Sequence, residues 1–363
     1  MANRIVIFGA SGYTGELIAT RLVAAGAAPL LAGRSVERLM PLAERLGGLE
    51  VVRADAMRQN TVFDLVSSDD DVLISTVGPF AKWGAPAVRA AVAAGCTYLD
   101  TTGEPEFIRR VFEEFGPPAV RSGARLLTAM GYDFAPGALA GGLAVAEAGE
   151  SAARVDVGYY ALGEGPTSLS SGTRESLVGI TLGDGFAFRD GAVRSARIAE
   201  RVRSFQVAGR AREAFSIGGA EHYTLPAAFA SLREVNVYLG WFGPLSRPFQ
   251  AGSLVGSFVT RVPGVRPAMR FAGERVLSLV EGPEHGSTPG GRSWIAAEAY
   301  DASGALLSEV HFAGSDGYDF TASFVAWAAR QSVAGTGALG PVQAYGLERL
   351  EAGAREAGLE RVR

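Results

Sequence analysis

Apolar residues in the first third of the chain fall into short runs separated by amphipathic stretches. Arg4–Gly9 is an apolar run ending in glycine and predicts a buried strand. Gly12–Ala25 carries its apolar positions at helical spacing, with Leu17, Ile18, Leu22 and Val23 on one face. The alternation continues with a strand over Pro29–Gly33, a helix over Val36–Leu46, and strands over Leu49–Ala54 and Asp71–Val77. Ala85–Ala94 then predicts a helix closed by Gly95, followed by strands over Thr97–Thr101 and Ala124–Thr128. Asp71–Val77 is an apolar run of the kind expected in a parallel sheet covered on both faces. Strands alternating with helices imply right-handed crossovers and an α/β, doubly wound parallel sheet of Rossmann type over residues 1–130.

After Gly131 the pattern changes. Ala138–Ala148 predicts a helix of small residues, and strand patterns follow, as at Ala153–Leu162 and Glu234–Trp241. Arg189-Asp-Gly-Ala192 and Asp301-Ala-Ser-Gly304 carry hairpin turn chemistry. Residues 131–315 therefore read as a second, mixed α+β domain with a largely antiparallel sheet. Helical patterns near Asp319–Ser332 and Val342–Ala357 close the chain.

Composition narrows the class. The 363 residues allow two domains with proper cores, and a net charge of −4 gives no reason to expect nucleic acid. Cys96 is the single cysteine, which excludes an internal disulfide and suits a reducing, cytoplasmic setting. Met1-Ala-Asn-Arg-Ile runs straight into a strand pattern, so no signal peptide is expected. No uncharged apolar run reaches the ~18–20 residues of a membrane span. Val235–Thr260 comes nearest, but Arg247 and two prolines interrupt it, leaving either a buried segment or a surface that touches lipid. His222, His285 and His311 are scattered, and no metal site is expected. Lys82 is the only lysine and residue 78 is glycine, so the Tyr-x-x-x-Lys pair of many short-chain reductases cannot form.

The chemistry gathers behind the predicted strands. Gly9-Ala-Ser-Gly12-Tyr-Thr-Gly15 joins the first strand to the first helix. Glycines there permit a tight turn and close approach of the backbone to a pyrophosphate, and the helix N-terminus presents free N–H groups. The second strand ends in Leu31-Ala-Gly-Arg34-Ser35, where an NAD site usually carries an acidic residue. Arg34 instead suits a 2′-phosphate, with Ser35 as a further donor, so NADP(H) is the expected cofactor. A surface arginine capping the next helix is the plainer reading. Asp55 suits either the adenine amino group or a helix cap. Gly78 and Pro79, within Ser75-Thr76-Val77-Gly-Pro-Phe80, would let the chain bend beneath the nicotinamide ribose, or simply turn.

Further on, Asp100 sits in an apolar strand and needs a partner if buried, a structural role. Glu104 either faces a substrate or begins a helix with Pro105. Tyr132 and Asp133 lie at the crossover into the second domain, where a cleft is expected. Tyr132 is the preferred proton donor, with Glu104 or Asp133 tuning the site; an N-cap is the other reading of Asp133. Ser171, Gly172 and Thr173 supply donors for an anionic or carbonyl group of the substrate, or an ordinary helix cap.

Taken together, Gly9-Ala-Ser-Gly-Tyr-Thr-Gly15, Ala32-Gly-Arg-Ser35, Val77-Gly-Pro-Phe80 and Tyr98-Leu-Asp-Thr-Thr-Gly-Glu104 resemble the saccharopine dehydrogenase-like oxidoreductases. Gly131-Tyr-Asp133, Ser171-Gly-Thr173 and Gly340-Pro341 extend the likeness over nearly the whole chain. This group includes saccharopine reductases and trans-acting enoyl reductases. The resemblance implies an N-terminal NADP-binding domain and C-terminal helices, within 316–363, that return to it. By position it implies that Gly9, Ser11, Gly12, Tyr13, Thr14 and Gly15 hold the pyrophosphate. Arg34 and Ser35 would meet the 2′-phosphate, and Val77, Gly78, Pro79 and Phe80 would flank the nicotinamide.

Two departures bear on the substrate. Phe134 stands where many enoyl reductase relatives have serine, and Ser171-Gly172-Thr173 is one glycine short of their Ser-Gly-Gly-Thr. The expected reaction is hydride transfer from NADPH to a conjugated C=C bond of an enoyl-type small molecule or lipid intermediate. Reduction of a C=N bond is the alternative, and a non-catalytic NADP-binding scaffold or lipid-associated protein is a reading of another class. A homodimer through the second domain is also an open expectation.

Overall fold

The computed structural model describes residues 4–162, 185–241, 243–259 and 291–363. The expected substrate residues Ser171, Gly172 and Thr173 lie outside the described residues. The chain forms two compact units, residues 1–102, 107–135 and 318–358 in the first, and residues 103–106, 136–317 and 359–363 in the second.

The first unit is built on a seven-stranded sheet. Its strands are β1 (Ile5–Phe8), β2 (Leu30–Gly33), β3 (Val51–Arg53), β4 (Val72–Ser75), β5 (Thr97–Asp100), β6 (Arg125–Leu127) and, far along the chain, β15 (Gly337–Ala338). The spatial order is β15-β6-β5-β4-β1-β2-β3, and every neighbouring pair is parallel. β1, β2, β4 and β5 are buried at every residue, which is why their sequences lack the alternation of a half-exposed strand. Strand order reverses between β1 and β4, so the carboxyl ends of those two strands frame the crevice where ligands of such sheets bind.

β15 has no counterpart among the sequence expectations, because two residues cannot show a period. The second of the two closing helical patterns also resolves differently. Val342–Ala357 is two helices, Pro341–Tyr345 and Leu347–Glu356, divided at Gly346. Gly346 has φ 75° and ψ 158°, a conformation outside any helix and accessible to glycine. The last residues, 359–363, belong to the second unit rather than the first.

The second unit carries a nine-stranded mixed sheet. It comprises β7 (Arg154–Leu162), β8 (Gly185–Arg189), β9 (Ala192–Ala196), β10 (Val202–Val207), β11 (Arg210–Ile217), β12 (Glu234–Leu239), β13 (Arg292–Tyr300), β14 (Leu306–Gly314) and β16 (Leu359–Arg361). The order is β10-β11-β12-β7-β13-β14-β16, with β8 pairing β12 and β9. All these pairs are antiparallel except β12 with β7. Alternate residues of β7 face opposite ways. Val155 and Val157 meet Gly141 of the helix Ala135–Ala148, where a Cβ would lie 3.2 Å from Val157 and 3.6 Å from Val155. Asp156, between them, joins Arg203 and, through Asn236 (2.8 Å), the next strand, and Arg203 also pairs with Glu298. The buried carboxylates on this face are thus compensated across the sheet.

In the first unit the C-terminal helices seat on an aromatic stack. Phe320 stacks on Phe324, Phe324 on Trp327, and Tyr345 meets Trp327 edge-on. Gly353 lets the helix Leu347–Glu356 press on the Trp327 indole, for a Cβ there would lie 2.4 Å from the ring. Gly353→Ala is expected to cost about 1–3 kcal/mol through overpacking. The urea midpoint of the variant measures this, and an unchanged midpoint would mean that the helix shifts without cost.

Candidate functional site

The turn after β1 is set by three glycines with different duties. Gly9 has φ 97°, and a Cβ there would lie 2.7 Å from Thr76 Oγ1 and 2.9 Å from Val77. A Cβ on Gly15 would lie 2.5 Å from the Gly9 carbonyl oxygen and 2.9 Å from Ala10 Cα. Both contacts hold the helix α1 (Tyr13–Ala24) and the end of β4 close to the end of β1, and backbone atoms cannot yield as side chains do. Gly12 is different. A Cβ there would meet a single neighbour, the Gly9 carbonyl, at 3.3 Å. Gly12 is the N-cap of α1 and makes no side-chain cap bond, so the first-turn N–H groups of α1 have no protein acceptor from that residue. An open backbone before uncapped helical N–H groups is the arrangement that accepts a phosphate.

The adenosine end lies one strand over. Arg34 follows β2, is exposed, and makes no ion pair or hydrogen bond among the described residues. Ser35 is the N-cap of α2 (Val36–Arg45), yet its hydroxyl does not cap the helix; it donates to Glu37 Oε2 at 2.7 Å. Asp55 is taken up locally. Its Oδ1 accepts from the Met57 N–H at 3.0 Å, and its own N–H donates to Thr61 Oγ1 at 2.9 Å. Thr76 donates to the Gly9 carbonyl at 3.1 Å, tying the Ser75–Phe80 segment to the glycine turn. The Gly78–Pro79 peptide is cis, and the buried Phe80 packs against Phe107. Lys82 lies 4.7 Å over the Trp83 ring, a structural use of the only lysine.

Asp100 closes the far side of the same sheet edge. Its Oδ1 accepts from the N–H groups of Thr102 (3.0 Å) and Ala129 (2.9 Å), and its Oδ2 accepts from the Thr128 hydroxyl (2.8 Å). This carboxyl stitches the end of β5 to the end of β6, the structural role expected of it. Burial pushes its pKa up to about 6, against the pull of those three bonds.

The segment after β6 carries the remaining candidates. Tyr132 is buried, its backbone N–H donates to Thr321 Oγ1 at 2.9 Å, and its ring meets Phe320 edge-on. Asp133 is partly exposed as a residue, yet its Oδ1 is shut off from solvent and has no hydrogen-bond partner. Burial alone raises its pKa to about 7, so it holds a proton at neutral pH to a degree an ordinary aspartate does not. The Asp133–Phe134 peptide is cis. Glu104 is buried and belongs to the second unit with the start of the helix Pro105–Arg110, so Tyr132 and Asp133 share a unit that Glu104 does not.

Other reactive groups are held inert. Burial pushes the Cys96 thiol up to about 12, and lowers His222 and His311 to about 4, so both imidazoles are neutral at pH 7. Among the described residues no group of His, Cys, Asp and Glu is arranged for a metal ion. No helix of the described residues is long and apolar enough to cross a membrane.

A parallel sheet with a glycine turn at its switch point, and an exposed arginine after β2, is the architecture of a dinucleotide-binding domain. Residues 5–123 match the sequence model of the saccharopine dehydrogenase NADP binding domain. This segment is thus similar in sequence to an NADP-binding domain. A Mycobacterium tuberculosis protein provisionally named a trans-acting enoyl reductase is 38% identical over 138 residues, 36% of this chain and 33% of that protein. A trans-acting enoyl reductase of Mycobacterium bovis is 36% identical over 138 residues, with the same shares covered. The match spans about a third of the length of these curated relatives. Among solved structures, saccharopine dehydrogenase (L-Glu forming) from Saccharomyces cerevisiae superposes with a TM-score of 0.58 at 11% identity, covering 99% of each chain, a likeness of fold.

The glycine turn separates binding from packing. Gly12→Val is expected to abolish NADPH binding while leaving far-ultraviolet circular dichroism unchanged. Gly15→Ala is expected to lower the thermal midpoint, because its Cβ strikes backbone. Titration of intrinsic fluorescence with NADPH, beside thermal melts, checks both; unchanged NADPH affinity in Gly12→Val would reduce the turn to a packing device.

Proposed function

We propose that this chain is an NADPH-dependent reductase that adds hydride and a proton across a conjugated C=C bond of an enoyl-type substrate. The observation that carries this is the 36–38% identity over 138 residues to proteins named trans-acting enoyl reductases. When bound, the dinucleotide supplies the hydride. The uncapped N–H groups at the start of α1, with the open backbone at Gly12, would hold its pyrophosphate. Arg34 would meet the 2′-phosphate, with Ser35 beside it. Val77, Gly78, Pro79 and Phe80, beyond β4, would flank the nicotinamide end, and Thr76 would fix that segment to the glycine turn.

The proton must come from elsewhere, delivered to the carbon beside the carbonyl. We assign this to Asp133 in place of Tyr132. Asp133 offers a buried oxygen that no protein group engages, on a carboxyl that burial keeps partly protonated near neutrality. The Tyr132 ring is committed to packing against Phe320. Asp100 also titrates near this range, but its carboxyl is engaged by two backbone N–H groups and by the side chains of Thr128 and Tyr98.

The test is NADPH oxidation followed by absorbance, with an α,β-unsaturated thioester in one cuvette and a cyclic imine in another. Turnover of the thioester alone supports the reading, and turnover of the imine alone moves the protein to C=N reduction. NADPH should bind at least ~10-fold tighter than NADH, since a charge-assisted phosphate contact is worth about 1.5–3 kcal/mol. Arg34→Ala should remove most of that difference, and equal dissociation constants in the unaltered protein would count against the cofactor assignment.

The acid acts while protonated, so kcat/KM should fall as pH rises through about 7. Asp133→Asn should slow turnover ~10²–10⁴-fold and remove that pH limb. Tyr132→Phe should keep both within a few-fold. A Tyr132→Phe variant as slow as Asp133→Asn would return the donor role to the tyrosine.

A further inference from the structure

The mouth of the expected 2′-phosphate site contains a carboxylate that neither the phosphate turn nor the chemistry above uses. β2 and β3 end side by side, with Gly33 opposite Arg53 and the Ala54 N–H donating to the Gly33 carbonyl at 3.0 Å. Arg34 and Arg53 therefore leave adjacent strand ends. Both are exposed, and neither makes an ion pair or hydrogen bond among the described residues. Glu37 stands in the first turn of α2 and engages the Ser35 hydroxyl at 2.7 Å. Its carboxyl is held below the ordinary range, first by that hydrogen bond and further by its own backbone N–H and the Arg53 charge. Ser35 thus donates to one anionic group, Glu37, while Arg53 leaves the neighbouring strand end with no ion pair of its own among the described residues.

We propose that Glu37 competes with the 2′-phosphate for Ser35, and so sets how strongly this protein distinguishes phosphorylated from unphosphorylated dinucleotides. The proposal rests on the assignment of Arg34 to the 2′-phosphate. A phosphate that enters beside Arg34 meets the Glu37 carboxylate as a like charge, and it gains the Ser35 hydroxyl only if Glu37 releases it. A nucleotide with a free 2′-hydroxyl meets no such repulsion, and the carboxylate accepts from it. Discrimination therefore arises from an attraction and a repulsion set against each other at one site. Arg53 sits on the favourable side, as a second guanidinium leaving the strand end beside Arg34. A purely structural Glu37, favoured near the positive end of the α2 dipole, would affect helix stability and leave nucleotide preference alone.

The experiment measures binding of 2′,5′-ADP and 5′-AMP by calorimetry, so it does not depend on turnover. Glu37→Gln is expected to tighten 2′,5′-ADP ~3–10-fold while 5′-AMP stays the same or weakens, an exposed charge effect that shrinks in high salt. Arg53→Ala is expected to weaken 2′,5′-ADP several-fold with 5′-AMP unchanged. Thermal melts of both variants confirm folding, and Glu37→Asp, with a shorter reach to Ser35, gives a second reading of the same competition. A clear preference for 2′,5′-ADP in the unaltered protein that Glu37→Gln leaves untouched overturns the role of Glu37 alone. Equal binding of the two nucleotides in the unaltered protein and in Glu37→Gln overturns the 2′-phosphate assignment along with it.

Discussion

Everything at the dinucleotide edge depends on how closely α1 approaches β1. Gly15 brings the helix to where a single Cβ would lie 2.5 Å from the Gly9 carbonyl, and Gly9 in turn rests against Thr76 and Val77. The contact is backbone on backbone, so it fixes distances in a way that side-chain packing does not. It aims the first turn of α1 along the crevice at the switch point and ties the end of β4 to the same turn. The ends proposed for phosphate and nicotinamide are thereby set by one short stretch of chain.

A second constraint acts two strands away, where a charge is buried to hold loops in register. Asp100 exchanges solvent for two backbone N–H groups and the Thr128 hydroxyl, with burial raising its pKa to about 6. Asp133, a few residues beyond the loop that Asp100 stitches, has one oxygen with no such compensation. The same physical cause, removal from water, makes one carboxyl a structural element and leaves the other able to hold and release a proton. What separates them is the number of donors within reach.

Much of the first unit was legible because parallel strands buried on both faces and amphipathic helices write strong patterns. Ala85–Ala94 matches its expected bounds, and the glycine turn falls between β1 and α1 as the residues imply. β15 was not legible, since its place comes from pairing with β6 across some two hundred residues of chain. The break at Gly346 was hidden because the apolar spacing continues through it while the backbone does not. At the site, Arg34 and Ser35 stood out by type, but Glu37 did not. A glutamate in a first helical turn is ordinary, and its engagement with Ser35 and the nearness of the Arg53 charge depend on side-chain directions and on two strands ending together. Asp133 could be named but not characterised, because its lack of hydrogen-bond donors is a property of surroundings drawn from distant segments.

The path of the chain carries a consequence for how the protein is made. Residues 1–135 supply six strands of the first sheet, but β15 and the helices around Trp327 come from 318–358, and β16 completes the edge of the second sheet from the last few residues. During synthesis, the amino-terminal sheet emerges from the ribosome with its β6 edge unpaired and the seat of those helices uncovered. It waits in that state while the whole second unit is translated. Each sheet receives its final strand only after residues 136–317 have been made, so the first sheet stands through that interval on its own incomplete core.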